Sequence, residues 1–121
     1  MWPFSKASSS GLRYSKLDDD FAVAGQIATF DIPMVVAAGF KTIVCARPDN
    51  EQPDQPSFAE IEAAARRAGL EAVHIPISRG IGEGELIRLE QVLTSLPKPM
   101  LGYCRSGARA GSLFAAAKSL A

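Results

Sequence analysis

The chain has 121 residues, the size of one domain at roughly 100 to 200 residues each. Apolar residues make up 47% and charged residues 21%, which is enough to bury a core and excludes a disordered or fibrous chain. Thirteen Lys and Arg balance thirteen Asp and Glu, so the overall charge points to neither nucleic acid nor an anionic membrane surface as partner.

The longest apolar run, 34–40 with Gly39 inside it, is far too short to span a bilayer. Met1 to Ser10 carries one Lys and several serines but no apolar stretch of the secretory type. Residues 1–11 therefore read as a flexible lead to a domain over 12–121, with the cytoplasm as the expected location. Cys45 and Cys104 are too few for a disulfide scaffold, and beside the single His74 they lack metal-ligand spacing. No metal or cofactor is expected, and any role for cysteine is that of a thiol.

Leu12–Leu17 and Phe21–Val23 read as short extended pieces around the acidic turn Asp18-Asp19-Asp20, with Gly25 closing the second. Thr29 is placed to cap a short helix through Ala38, with Pro33 in its first turn and Gly39 as its stop. Phe40–Ala46 is β-branched and largely apolar, as a strand buried on both faces would be. Arg47–Ser57, rich in Pro, Asp and Asn, is a loop. Ser57 and Glu60 form a capping box, and Phe58, Ile61, Ala65 and Ala68 line one helical face up to Gly69. Leu70–Ile77 reads as a strand and Ser78–Gly84 as a glycine-rich loop. Leu86, Leu89, Leu93 and Leu96 repeat at helical spacing until Pro97, Met100–Tyr103 is the last strand, and Leu113, Phe114, Ala117 and Leu120 carry a final helix. Strands alternating with helices predict a single α/β domain whose small sheet is mainly parallel and flanked by helices.

The chemistry gathers where the last strand runs through Cys104-Arg105-Ser106-Gly107-Ala108-Arg109 into helix, because open α/β sheets place their sites at such strand ends. A cysteine at the positive end of a helix dipole, beside two guanidiniums, favours thiolate over thiol. Successive backbone N–H groups in a tight turn form a nest for anionic oxygen or sulfur, and Gly107 allows the curvature. Arg109 can fold over the nest with two parallel donors, as suits phosphate, sulfonate or thiosulfate. The segment after Glu90 holds Lys98, Arg105, Arg109 and Lys118 with no carboxylate, a local positive field in keeping with a small anionic substrate. The bland alternative is that Cys104 is a small buried hydrophobe, as most free cysteines are.

Residues 12–120 resemble the bacterial beta-lactamase-hydrolase-like, phosphatase-like domain family, whose members are also named as sulfurtransferases. The matching stretches are Gly25-Gln26, Ala38-Gly39-Phe40, Arg47-Pro48-Asp49 with Glu51, Gln55-Pro56-Ser57-Phe58, His74-Ile75-Pro76 and Cys104-Arg105-Ser106-Gly107. The resemblance implies a fold like that of dual-specificity protein tyrosine phosphatases. It also implies a fused or partner hydrolase, as in relatives. Fold likeness leaves the activity open. The phosphatase signature has five residues between Cys and Arg, followed by Ser or Thr, whereas this chain has four and Ala110 follows Arg109. That spacing is similar to the six-residue active loop of rhodanese-type sulfurtransferases.

Phosphate-ester cleavage also calls for an acid to protonate the leaving oxygen, in the phosphatases usually an Asp upstream of the Cys. No Asp occurs after Asp54, so only Glu83 or Glu85 could substitute, and both could equally begin the next helix. Sulfur transfer through a Cys104 persulfide needs no such acid.

The sequence therefore favours a rhodanese-like sulfurtransferase drawing on thiosulfate or a persulfide, with Cys104 as nucleophile, Arg109 as its anion-binding partner, and Arg105, Ser106, Gly107, Ala108 and Ala110 as the cradle. A tyrosine or dual-specificity-like phosphatase acting through a Cys104 phospho-enzyme is the alternative, and a non-catalytic anion-binding module is the third reading. Cys45, where the family usually has Asn, could resolve a persulfide as a disulfide with Cys104, although buried packing explains it as well. Arg47 and Glu51 either border the pocket or form an ion pair that braces the proline-rich loop. His74 reads as a neutral strand histidine. Tyr103 stands where phosphatases have His, and its hydroxyl needs a partner if buried.

Overall fold

The computed structural model describes residues 11–119. The expected lead, Gly11 aside, and Leu120 of the last helix lie outside the described residues. Asp18 turns the chain by accepting hydrogen bonds from the N–H groups of Asp20 (2.8 Å) and Phe21 (2.9 Å), which folds β1 (Ser15–Lys16) antiparallel onto β2 (Phe21–Ala24). A 3₁₀ turn over Thr29–Asp31 leads into α1 (Ile32–Ala37). Thr29 does not cap it. The Asp31 carboxylate accepts from the Ala28 N–H instead (2.8 Å), a stronger acceptor than a hydroxyl at the positive end of the turn.

Next come β3 (Thr42–Cys45), α2 (Phe58–Arg67), β4 (Glu71–His74), α3 (Glu83–Ser95), β5 (Met100–Tyr103) and α4 (Ala108–Ser119). The capping box at α2 forms in both directions, Ser57 N–H to Glu60 and Glu60 N–H to the Ser57 hydroxyl. Asp49, nine residues upstream, adds an acceptor for the Phe58 N–H at 2.8 Å. On the expected apolar face of α2, Ile61 and Ala65 are buried, whereas Ala68 is exposed because the helix is already ending there.

The five strands run in the order β1-β2-β5-β3-β4, parallel apart from the β1 hairpin. Alternation along the strands sends successive side chains to opposite faces. Ile43, Cys45, Leu101 and Tyr103 pack under Ile32 and Val35 of α1 and Ile61 and Ala65 of α2. Val44, Ala46, Met100 and Cys104 pack under Leu89 and Val92 of α3 and Leu113, Phe114 and Ala117 of α4. β5 is central, flanked by β2 and β3, so the loop after it opens in the middle of the sheet's carboxyl edge.

Candidate active site: the loop from Cys104 to Arg109

The loop is tied down by hydrogen bonds to the end of β2 and the segment after it. Cys104 N–H reaches the Ala24 carbonyl at 3.4 Å, and the Gln26 N–H donates to the Arg105 carbonyl at 3.3 Å. Gly107 has φ +96°, a conformation that a side chain rarely adopts, and an added Cβ there would lie 3.3 Å from the Ala24 carbonyl oxygen. Gly25 is close packed too: a Cβ would come within 3.1 Å of the Arg105 oxygen. The curve of the loop thus depends on two glycines from separate segments.

Cys104 forms the floor of this curve, with only 1% of its surface exposed. Burial pushes its thiol up, but the backbone N–H groups of Ala110, Ser106, Arg109 and Gly107 pull it further down, and the net position is below an ordinary cysteine. The Gly107 N–H donates to Sγ at 3.0 Å. The expected nest is therefore present and converges on the sulfur. Ser106 braces it from within, its Oγ accepting from the Ala108 N–H at 3.3 Å.

Arg109 is engaged rather than free. Its Nη1 donates to Glu51 Oε2 (2.7 Å) and to the Ile77 carbonyl (3.0 Å), and Nη2 donates to Glu51 Oε1 (2.9 Å). Those bonds consume both Nη1 protons and one on Nη2, which leaves the Nε–H and one Nη2–H parallel along one edge of the planar group. That edge is the geometry that grips two oxygens of a tetrahedral anion. The Glu51 hydrogen bond foremost, with a smaller contribution from Cys104, holds the guanidinium charge even more firmly than usual. A cleft of about 360 Å³ lies against Arg109, walled by Ile77, Ser78, Ile81, Ala108 and Ser112.

Glu51 is the hub of the second tier. The Arg109 hydrogen bond first, then the Arg47 contact, hold its carboxyl down to about 2 against the opposing effect of burial. Arg47 is 2% exposed, and its Nε donates to Glu51 Oε1 (2.9 Å), Nη1 to Gln26 Oε1 (2.8 Å) and Nη2 to Gln52 Oε1 (3.0 Å). The pair does brace the proline-rich loop, and it also reaches Arg109, 58 positions away from Glu51 in sequence. Gln26 and Gln52 gave no chemical signal in the sequence, because a neutral amide becomes informative only once the buried cation it faces is known.

Other expectations fare differently. Cys45 belongs to the hydrophobic cluster on the far face of the sheet from Cys104, so the sheet itself separates the two thiols and Cys45 is not placed to resolve a bond at the loop. Its thiol donates to the Arg47 carbonyl at 3.4 Å, and burial above all pushes its pKa up. Tyr103 is buried, with Cys45 and Gln26 the polar groups beside its hydroxyl. His74 stacks on Phe58 and its Nε2 meets the Arg47 carbonyl at 2.8 Å. Glu85 accepts from the Gly82 N–H at 2.7 Å and so caps α3, and Glu83 is exposed in that helix's first turn. The positive field after residue 90 is partly cancelled, since Arg109 pairs with Glu51 and Lys118 lies 3.7 Å from Asp18. Arg105 is exposed at the rim. Among the described residues no cluster of metal-ligating side chains occurs, and no helix is long and apolar enough to cross a membrane.

A central parallel strand followed by a cysteine, an amide-lined loop and an arginine at the start of a helix belong to a fold of the tyrosine- and dual-specificity-phosphatase-like class. Within that class the chain belongs to the family described as beta-lactamase hydrolase-like protein, phosphatase-like domain, whose model matches residues 12–121. A beta-lactamase hydrolase-like protein of Agrobacterium fabrum is 33% identical over 106 residues, which is 87% of this chain and 25% of that protein. The chain thus spans about a quarter of that relative's length. Among solved structures, a Neisseria meningitidis protein provisionally described as a phosphatase superposes with a TM-score of 0.75 at 33% identity, covering 83% of this chain and 72% of that one. The core catalytic domain of a PP-IP phosphatase from S. cerevisiae shares the fold, with a TM-score of 0.66 at 18% identity over 88% of this chain and 65% of its own.

Proposed function

We propose that this domain is a cysteine-dependent phosphatase, the reading that family and fold favour over sulfur transfer. The observation that carries it is the Cys104 sulfur held toward thiolate by converging loop amides, with one edge of Arg109 still able to grip an anion beside it. The sulfur attacks phosphorus in line with the ester oxygen; an S–P bond forms as the P–O bond breaks, and the leaving oxygen keeps the electron pair and takes a proton from water. Loop N–H groups and Arg109 hold the non-bridging oxygens. Water then displaces the sulfur from the phosphocysteine, releasing inorganic phosphate and restoring the thiolate.

The nearby carboxyls are committed elsewhere: Glu51 is ionised by its two arginines and Glu85 caps α3. A leaving group that departs without protonation must itself be acidic, so the substrate class is aryl rather than alkyl phosphates. Activity should fall steeply as the phenol pKa rises. A flat dependence would mean that an acid, with Glu83 the first to test, is supplied after all.

A second reading is sulfur transfer, and one observation favours it: the four-residue spacing closes the loop on the sulfur itself, with the Gly107 N–H at 3.0 Å. There the thiolate would attack the outer sulfur of thiosulfate, forming an S–S bond while sulfite leaves with the electron pair. Both reactions can be run on one preparation. Phosphate release from an aryl phosphate, lost in Cys104→Ser, supports the phosphatase. An inert aryl phosphate with one sulfur atom added to Cys104 by intact mass replaces it with sulfur transfer. Phosphate binding without either reaction reduces the domain to an anion-binding module.

A further inference from the structure

The loop 104–109 is held at both ends by one circuit of hydrogen bonds that passes through a buried cation. It starts at the Arg105 carbonyl, which accepts from the Gln26 N–H at 3.3 Å. The Gln26 side-chain oxygen accepts from Arg47 Nη1 at 2.8 Å, Arg47 Nε donates to Glu51 at 2.9 Å, and Glu51 accepts two bonds from Arg109 at 2.7 and 2.9 Å. The circuit thus returns to the loop it left, joining the segment after β2, the segment after β3 and the first turn of α4. Its middle member is anchored by its own backbone as well, since the Arg47 carbonyl meets both the Cys45 thiol (3.4 Å) and His74 Nε2 (2.8 Å).

A surface ion pair would serve only to brace a loop and would be worth little. Here an arginine that is 2% exposed spends all three of its nitrogens on Gln26, Glu51 and Gln52. A buried cation satisfied in this way has one geometry, and through Glu51 it imposes one geometry on Arg109. We infer that Arg47 and Glu51 are positioning residues for the anion site: the buried Arg47 fixes Glu51, and Glu51 turns the Arg109 guanidinium so that its Nε–Nη2 edge faces the anion bound over Cys104. This rests on the anion-site part of the proposed function and adds to it the residues that set its affinity.

The test is a double-mutant cycle read by inorganic phosphate binding, which requires no turnover. Glu51→Gln should weaken phosphate binding about tenfold, because a neutral amide cannot accept both Arg109 bonds and the arginine swings. In an Arg109→Ala background the same substitution should change binding by less than about twofold. The pH at which Cys104 reacts with iodoacetamide should stay where it is, since the backbone amides set it; a general collapse of the loop would shift it. Equal losses in both backgrounds, or no loss in Glu51→Gln, overturn the inference. Should Glu51→Gln fail to fold, Arg47→Lys is read by the same criteria, because lysine keeps the charge but cannot reach three partners at once. Absence of aryl-phosphate turnover with the coupling intact would count against the phosphatase reading alone.

Discussion

Cys45 closes β3 and Cys104 follows β5, neighbouring parallel strands, and both are almost wholly buried at 3% and 1% exposure. Their thiols are nevertheless driven in opposite directions. Burial dominates at Cys45 and outweighs the hydrogen bonds from Tyr103 and the Arg47 backbone that favour the anion. At Cys104 desolvation is outweighed by four backbone N–H groups that favour the anion. Surface exposure does not distinguish the nucleophile from the packing residue; the balance between burial and the hydrogen bonds that favour the anion does.

The sharpest way to break that contrast is substitution. If the proposed phosphatase activity is present, Cys104→Ser should abolish it, on the order of 10⁴-fold or more in kcat/KM, whereas Cys45→Ala should change it less than about threefold and register mainly in the melting temperature. A comparable loss in Cys45→Ala would show that the two thiols act together. Arg109→Lys should reduce kcat/KM by about 10²-fold with the protein still folded, because a point charge keeps the attraction but loses the two-pronged edge. Thiol reactivity sharpens the contrast directly: rising pH should release Cys104 to iodoacetamide below the range of an ordinary cysteine, while Cys45 stays protected until unfolding, as mass mapping of the two peptides would report.

Smaller effects test the frame around the loop. Gly107→Ala places a side chain at φ +96° and against the Ala24 carbonyl, which should lower stability by about 1–3 kcal/mol in chemical denaturation and raise the pH of Cys104 alkylation as the amides splay. The smallest expected change is in acid. Glu51 has a folded pKa of about 2 against an ordinary 4.5, so its contribution is present above 4.5 and fades as pH falls from there toward about 2. Glu51→Gln should remove that part of the slope in melts taken across the window, and an unaltered slope would mean that other carboxylates govern acid unfolding.

Much of this architecture is legible without coordinates. The strand from Met100 to Tyr103, the Ser57–Glu60 capping box and the stops at Gly39 and Gly69 depend on side chains close together in sequence, and each lies where local rules put it. The start of α1 is the local failure: Thr29 opens a 3₁₀ turn instead of capping the helix, and the Asp31 carboxylate closes that turn by accepting from the Ala28 N–H. Ala68 fails differently, because periodicity marks a face but not the turn at which the helix ends.

The amino-acid sequence by itself determined the α/β alternation and the candidate loop, because periodicity, capping and the Cys104–Arg109 motif are all encoded within short windows, and stretches matched across residues 12–120 carried the family resemblance. Tertiary structure alone decided that a buried Arg47 is joined to Gln26 and, through Glu51, to Arg109. Those outcomes depend on contacts 21 and 58 positions apart, between Arg47 and Gln26 and between Arg109 and Glu51. No local pattern carries such a pairing: a charged or amide side chain looks the same in sequence whether it meets water or, in the folded chain, partners from distant segments.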